Sequence, residues 1–143
     1  MKVTVLGAGL VGCARARELA LDKGLTVLAI DYAQDLLDKL QAQADVEIAC
    51  ADLSDEKILK SAISDADLVV SAVPGSMGYL TLQRIIEAGK DVVDISFFGE
   101  DPFELDVMAK QHGVTAVVDC GVAPGLSNVI AGYVQSKMEK IDS

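Results

Sequence analysis

Six short apolar runs rich in β-branched residues dominate the chain: KVTVLG from Lys2, LTVLAID from Leu25, VEIACAD from Val46, DLVVSAVP from Asp67, DVVDIS from Asp91 and VTAVVD from Val114. Each is nearly continuous in apolar character, the pattern of a strand buried on both faces of a parallel sheet. Between them, helical periodicity covers Leu10 to Lys23, Ala33 to Gln43, Asp55 to Ser64, Tyr79 to Ala88 and Pro102 to Gln111. A last amphipathic pattern, Leu126 to Ile141, spaces Leu126, Val129, Ile130, Tyr133, Val134, Met138 and Ile141 along one face. Gly24, Gly89 and Gly113 stand where helices should stop, Ser54 where one should be capped, and Pro102 in a first turn. Strict βα alternation requires right-handed crossovers and a parallel sheet with helices on both faces. At 143 residues the chain has the length of one domain, spanning 1–143.

Composition narrows the function. With 22 Asp and Glu against 12 Lys and Arg, the net charge of −10 excludes a surface built to hold nucleic acid or an anionic membrane. Any phosphate must be held by backbone groups. No apolar run reaches the roughly 18–20 residues of a membrane span, and Met1-Lys2 leads straight into a strand pattern, so a cytoplasmic location is expected. Cys13, Cys50 and Cys120 form no CxxC or Cys/His cluster, which predicts reduced thiols and no metal site.

The first strand runs into GAGLVG, which places Gly7, Gly9 and Gly12 in the spacing G-x-G-x-x-G at the mouth of a helix. In that context the first glycine serves a tight turn, the second lets the backbone approach a pyrophosphate, and the third lets helix and strand pack closely. The stretch Gly7, Ala8, Gly9, Leu10, Val11, Gly12 is therefore the candidate phosphate site. The predicted fold is a doubly wound, six-stranded Rossmann sheet of order 3-2-1-4-5-6. Asp31 closes the second strand nineteen residues beyond Gly12, where an acid accepts hydrogen bonds from an adenosine ribose. Tyr32, Ala33, Gln34 and Asp35 bring no cation to neutralise a 2′-phosphate, so NAD is expected in preference to NADP. Asp52 and Leu53, after the third strand, border the adenine side; a solvated turn is the other reading of Asp52. Ala72, Val73 and Pro74, after the fourth strand, are expected to form an apolar wall for the nicotinamide.

The exits of the fifth and sixth strands carry the remaining candidates. Asp94 alternates with apolar neighbours inside a strand, where an acid is costly unless bonded; a bonded structural role and a catalytic one both fit. Asp101 before Pro102 reads as a helix cap. Cys120 and the lone histidine, His112, have no evident base partner in reach and read as structural.

GAGLVG, SAVPG and above all the run from Val92 to Asn128, which includes DISFFGEDPFE and DCGVAPGLSN, resemble the amino-terminal part of the saccharopine dehydrogenase-like family. Within it, the similarity is greatest to the lysine 6-dehydrogenases. The resemblance implies an NAD(P)-dependent oxidoreductase that moves hydride from the carbon bearing nitrogen in an amino acid such as lysine or saccharopine. It implies a base, with Asp94 and Asp119 as candidates, and a substrate pocket lined by Ser96, Phe97 and Cys120. Enzymes of this family resemble one another in a second α/β domain that supplies substrate contacts and a homodimer surface. A chain ending at Ser143 is accordingly expected to be a truncated cofactor domain, inactive alone. A different class shares the glycine turn and the two distal acids: nucleotide-sensing regulatory modules of potassium channels and transporters. Such modules have no use for DISFFGEDPFE or DCGVAPGLSN, which favours the enzyme.

Overall fold

The computed structural model describes residues 1–138, and Ile141, the last residue of the final apolar pattern, lies outside them. The elements run β1 (Lys2–Leu6), α1 (Leu10–Leu19), β2 (Thr26–Asp31), α2 (Gln34–Gln41), β3 (Glu47–Cys50), α3 (Glu56–Ala62), β4 (Leu68–Ser71), α4 (Gly75–Glu87), β5 (Asp91–Asp94), α5 (Asp106–His112), β6 (Ala116–Val117) and α6 (Ser127–Gln135). All six strands form one parallel sheet in the order β3-β2-β1-β4-β5-β6, the expected one.

Strand alternation sends successive side chains to opposite faces, and both faces are apolar. Val3, Val5, Val27 and Ala29 pack on α1 and α2 through Ala16, Leu37 and Leu40. Leu6, Ile30, Val69 and Val92 pack on α3, α4 and α5 through Leu59, Leu82, Ile85 and Ala109. The helices divide this way because the chain moves outward from β1 to β3 in one direction and from β4 to β6 in the other, and right-handed crossovers put the two sets on opposite faces. Helices thus lie on both faces, but α1 and α2 serve the β1–β3 half of theirs.

Local details depart from the sequence expectations. Asp55, not Ser54, caps α3, its Oδ1 accepting from the Lys57 and Ile58 amides at 2.8 and 3.1 Å. Gly24 does not end α1, which stops at Leu19 and continues as turns. The segment from Pro102 splits into one 3-10 turn, Pro102–Leu105, and α5, with Asp101 capping the turn through the Phe103 amide at 2.9 Å as expected. Helix α4 begins at Gly75, four residues before the expected Tyr79, because Gly75 and Gly78 let its first turn press against the Phe97 carbonyl and the Ser96 and Phe98 side chains. Strand β6 shrinks to two residues. Asp119 turns out of it with φ +60°, and the Cys120 amide donates to the Asp94 carbonyl at 3.1 Å.

No helix among the described residues is long and apolar enough to cross a membrane.

Candidate functional site

At the carboxyl ends of β1 to β4 a cleft of about 430 Å³ opens, lined by the glycine turn, by Asp31, Tyr32 and Leu36, by Ala51, Asp52 and Leu53, and by Ala72, Val73, Pro74 and Met77. Ligands of doubly wound sheets lie there, where the strand order reverses.

The three glycines of the turn have different physical reasons to be glycine. Gly7 leaves β1 with φ +94°, and a Cβ on it would stand 2.6 Å from the Ala72 carbonyl oxygen. Gly12 sits against the Gly7 carbonyl, with no room for any side chain. The fold itself requires both. Gly9 has ordinary extended backbone, φ −69° and ψ −169°, and a Cβ on it would meet no atom within 4 Å. Nothing in the protein demands glycine there. It leaves open space beside the start of α1, whose N-cap makes no side-chain hydrogen bond and whose first turn carries no acid. A helix start with uncapped amides and an uncovered approach fits the pyrophosphate of a dinucleotide.

Asp31 is held at the rim of this turn. Its Oδ2 accepts from the Ala8 amide at 2.6 Å and its Oδ1 from the Ala33 amide at 2.9 Å, and only 8% of the residue is exposed. Two backbone donors from different segments therefore orient one carboxylate between the glycine turn and the start of α2. Ala8 itself is buried behind the turn rather than in the cleft, its amide committed to Asp31. Asp52 is exposed on the opposite wall, its Oδ1 accepting from the Ser54 amide at 2.9 Å. Hydrogen bonding from Ser54 holds its carboxyl below the usual range, so it presents a negative charge. No Lys or Arg lines the cleft among the described residues.

Eleven of the twelve cofactor candidates, Gly7, Gly9, Leu10, Val11, Gly12, Asp31, Asp52, Leu53, Ala72, Val73 and Pro74, therefore line one space. Tyr32, Leu36, Ala51 and Met77 join them without having been singled out. Tyr32 and Ala51 adjoin residues that were, whereas Leu36 and Met77 enter from the first turns of α2 and α4, a convergence with no local signal.

The candidates for the amino-acid side lie outside this lining. Asp94, Ser96 and Cys120 cluster at the ends of β5 and β6, tied by the bond between the Cys120 amide and the Asp94 carbonyl. Asp94 is fully buried. One carboxyl oxygen accepts from the Ser96 amide at 2.7 Å and the other, Oδ2, has no hydrogen-bond partner. Burial pushes its pKa up, Ser71 and Ser96 oppose this, and the nearby charge of Asp119 adds to it. Ser96 is buried behind the apolar wall, its hydroxyl donating to the Val73 carbonyl at 3.0 Å. Asp119 and Phe97 are exposed, and Cys120 is half-buried. Burial raises the Cys120 thiol pKa, reinforced by Asp94 and Asp119, which keeps it protonated and a poor nucleophile.

The state of Asp94 has a measurable consequence. An acid whose folded pKa is raised contributes most to stability below its unfolded pKa of about 3.9, and that contribution is lost as pH rises through the folded value. Urea unfolding of wild type and Asp94→Asn from pH 4 to about 8 should show the variant gaining relative stability as pH rises. A constant difference across that range would contradict a carboxyl whose pKa burial raises.

The reversed strand order, the glycine turn and the cleft at the switch point define a dinucleotide-binding Rossmann domain. The chain belongs to the saccharopine dehydrogenase family, in its nucleotide-binding part: the family model described as saccharopine dehydrogenase NADP binding domain matches residues 3–117. Among its relatives, the alpha-aminoadipic semialdehyde synthase of Arabidopsis thaliana is 29% identical over 105 residues, covering 73% of this chain and 10% of that protein. The NADP+, L-glutamate-forming saccharopine dehydrogenase of Pyricularia oryzae is 28% identical over 131 residues, covering 90% of this chain and 29% of that protein. The chain therefore spans less than a third of the length of these relatives. In structure it is similar to apo saccharopine dehydrogenase from Saccharomyces cerevisiae, with a TM-score of 0.82 at 22% identity over 95% of this chain and 31% of the other. The apo scyllo-inositol dehydrogenase of Lactobacillus casei gives 0.71 at 20% identity, covering 96% and 41%. Both likenesses concern the fold. The chain is a pyridine-nucleotide-binding domain of the saccharopine dehydrogenase type.

Proposed function

We propose that the cleft binds NAD and that the chain serves an oxidoreductase acting on the carbon-nitrogen bond of an amino acid of the lysine or saccharopine kind. The observation that carries this reading is Gly9: a glycine that the protein's own packing does not need, facing open space at an uncapped helix start. The pyrophosphate would lie there, the adenosine ribose against Asp31, the adenine between Tyr32 and Leu53 near Asp52, and the nicotinamide along Ala72, Val73 and Pro74. When bound, the nicotinamide would accept hydride from the carbon that carries nitrogen.

The preference for NAD rests on the anchored Asp31 carboxylate and on a cleft lining without cations. A 2′-phosphate would meet a fixed negative charge with nothing to neutralise it. The family model carries NADP in its description, so this chain's residues point away from its namesake. The amino acid would lie toward the exits of β5 and β6, against Phe97 and Cys120, with Ser96 supporting the wall from behind. Loss of a proton from the amine before hydride transfer needs a base. Asp119, exposed, is better placed to take it than Asp94, which is sealed from solvent. The location we assign is cytoplasmic.

Isothermal titration calorimetry with NAD, NADP and ADP-ribose tests the cofactor reading. NAD should bind at least ~10-fold tighter than NADP, a difference of about 1.4 kcal/mol, with ADP-ribose retaining most of the affinity. Tighter binding of NADP would overturn the preference, and no binding of any of the three would overturn the site.

A further inference from the structure

The apolar wall of the cleft, Ala72, Val73 and Pro74, stands past the end of the strand that carries it. Its last tie to β1 is the Ala72 amide, which donates to the Leu6 carbonyl at 2.8 Å, and the last tie between β4 and the exit of β5 is the Ile95 amide, which donates to the Ser71 carbonyl at 3.0 Å. Beyond them Val73 makes one hydrogen bond among the described residues: its carbonyl accepts from the Ser96 hydroxyl at 3.0 Å. Both residues are buried, so water is a poor substitute for that bond.

Ser96 is in turn held from two sides. Asp94 Oδ1 accepts from its amide at 2.7 Å, closing a tight turn at the exit of β5. On the other side the Ser96 Cβ lies against Gly78, where a Cβ on residue 78 would come within 2.9 Å of it, and the Phe97 carbonyl fills the space beside Gly75. The same contacts set the first turn of α4, from which Met77 enters the cleft. Asp94 is a costly residue for this place. It is fully buried, its Oδ2 and the Ser71 hydroxyl on the paired strand both lack partners, and the one hydrogen bond its side chain makes is the bond to Ser96.

We propose that Ser96 and Asp94 are positioning residues for the nicotinamide: Ser96 fixes the Val73 carbonyl, and with it the wall, and Asp94 fixes Ser96. This rests on the reading of the cleft as a dinucleotide site. Neither residue lines the cleft, so both act through Val73. The adenosine half of the site is built from other segments, the glycine turn, Asp31 and Asp52 with Leu53, and its hydrogen bonds involve neither Ser96 nor Asp94. A loosened wall is therefore felt at the nicotinamide end of the cofactor alone. That separates positioning from a base at Asp94 or a substrate contact at Ser96, since neither of those roles touches nucleotide affinity.

ADP-ribose carries the adenosine, pyrophosphate and second ribose of NAD without the nicotinamide ring, so calorimetry with both ligands reads the difference. In Ser96→Ala, NAD should bind roughly 5- to 10-fold more weakly, with ADP-ribose within about 2-fold of wild type. Retained ADP-ribose binding also shows that the variant is folded. Ser96→Cys, which keeps a weak donor, should recover part of the NAD affinity. Asp94→Asn keeps an oxygen that can accept from the Ser96 amide and should bind both ligands like wild type, whereas Asp94→Ala should reproduce the selective loss. Equal losses for the two ligands, or wild-type NAD affinity in Ser96→Ala or Asp94→Ala, would overturn the positioning role and leave the cleft reading intact. Failure of the wild-type protein to bind either ligand would overturn both.

Discussion

Gly9→Ala is expected to leave the protein folded and to remove most of its dinucleotide affinity. The backbone at Gly9 is one that alanine adopts freely, and the added methyl enters empty space. The loss of a glycine N-cap and the gain from a less flexible unfolded chain nearly cancel, so stability should change by less than about 1 kcal/mol. In the complex the same methyl occupies the approach of the pyrophosphate to the α1 amides, and affinity for NAD should fall at least ~100-fold, or about 2.7 kcal/mol. Gly12→Ala should behave in the opposite sense. Its methyl collides with the Gly7 carbonyl, so urea unfolding should register a cost of about 2–3 kcal/mol before any ligand is added. Calorimetry and unfolding on the two variants separate the roles, and Gly9→Ala binding NAD like wild type would remove the phosphate site from the glycine turn.

The second large effect belongs to Asp31. Asp31→Ala strips the Ala8 amide of its acceptor in a buried position, which should cost about 1–3 kcal/mol of stability. NAD should lose the hydrogen bonds of its ribose to a charged acceptor and bind roughly 10- to 100-fold more weakly. NADP should lose much less, because the variant also removes the charge that repels the 2′-phosphate. The ratio of the two affinities is the informative quantity. Adding Tyr32→Arg to that variant should carry the ratio over to NADP by supplying a cation at the ribose. An unchanged ratio in Asp31→Ala would mean that Asp31 orders the turn without reading the ribose.

These two residues also mark how far local sequence carries. Asp31 is legible because an acid at the end of a second strand, nineteen residues past a glycine turn, is a local arrangement with a known geometric result. That the Ala8 amide holds its carboxylate is not legible, since the two residues meet only when β1 and β2 pair. The motif already assigns Gly7 to the turn, Gly9 to the pyrophosphate and Gly12 to close packing. What it does not contain is the atoms responsible, the Ala72 carbonyl that crowds Gly7 and the Gly7 carbonyl that crowds Gly12. Helix α4 shows the same limit, since GSMG reads as a loop until Ser96, Phe97 and Phe98 of a later segment are brought against it.

Alternating apolar runs and helical periods determined by themselves that this protein is a parallel βα sheet with a phosphate-binding first turn, because strand burial, crossover handedness and glycine geometry act within a few residues or in one sense only. Tertiary structure alone decided that Asp94 and Ser96 lie sealed behind the wall of the cleft, and that α4 takes up the GSMG segment as its first turn. Those outcomes depend on which surfaces the crossovers cover, a property of the assembled sheet that no single stretch of the chain contains.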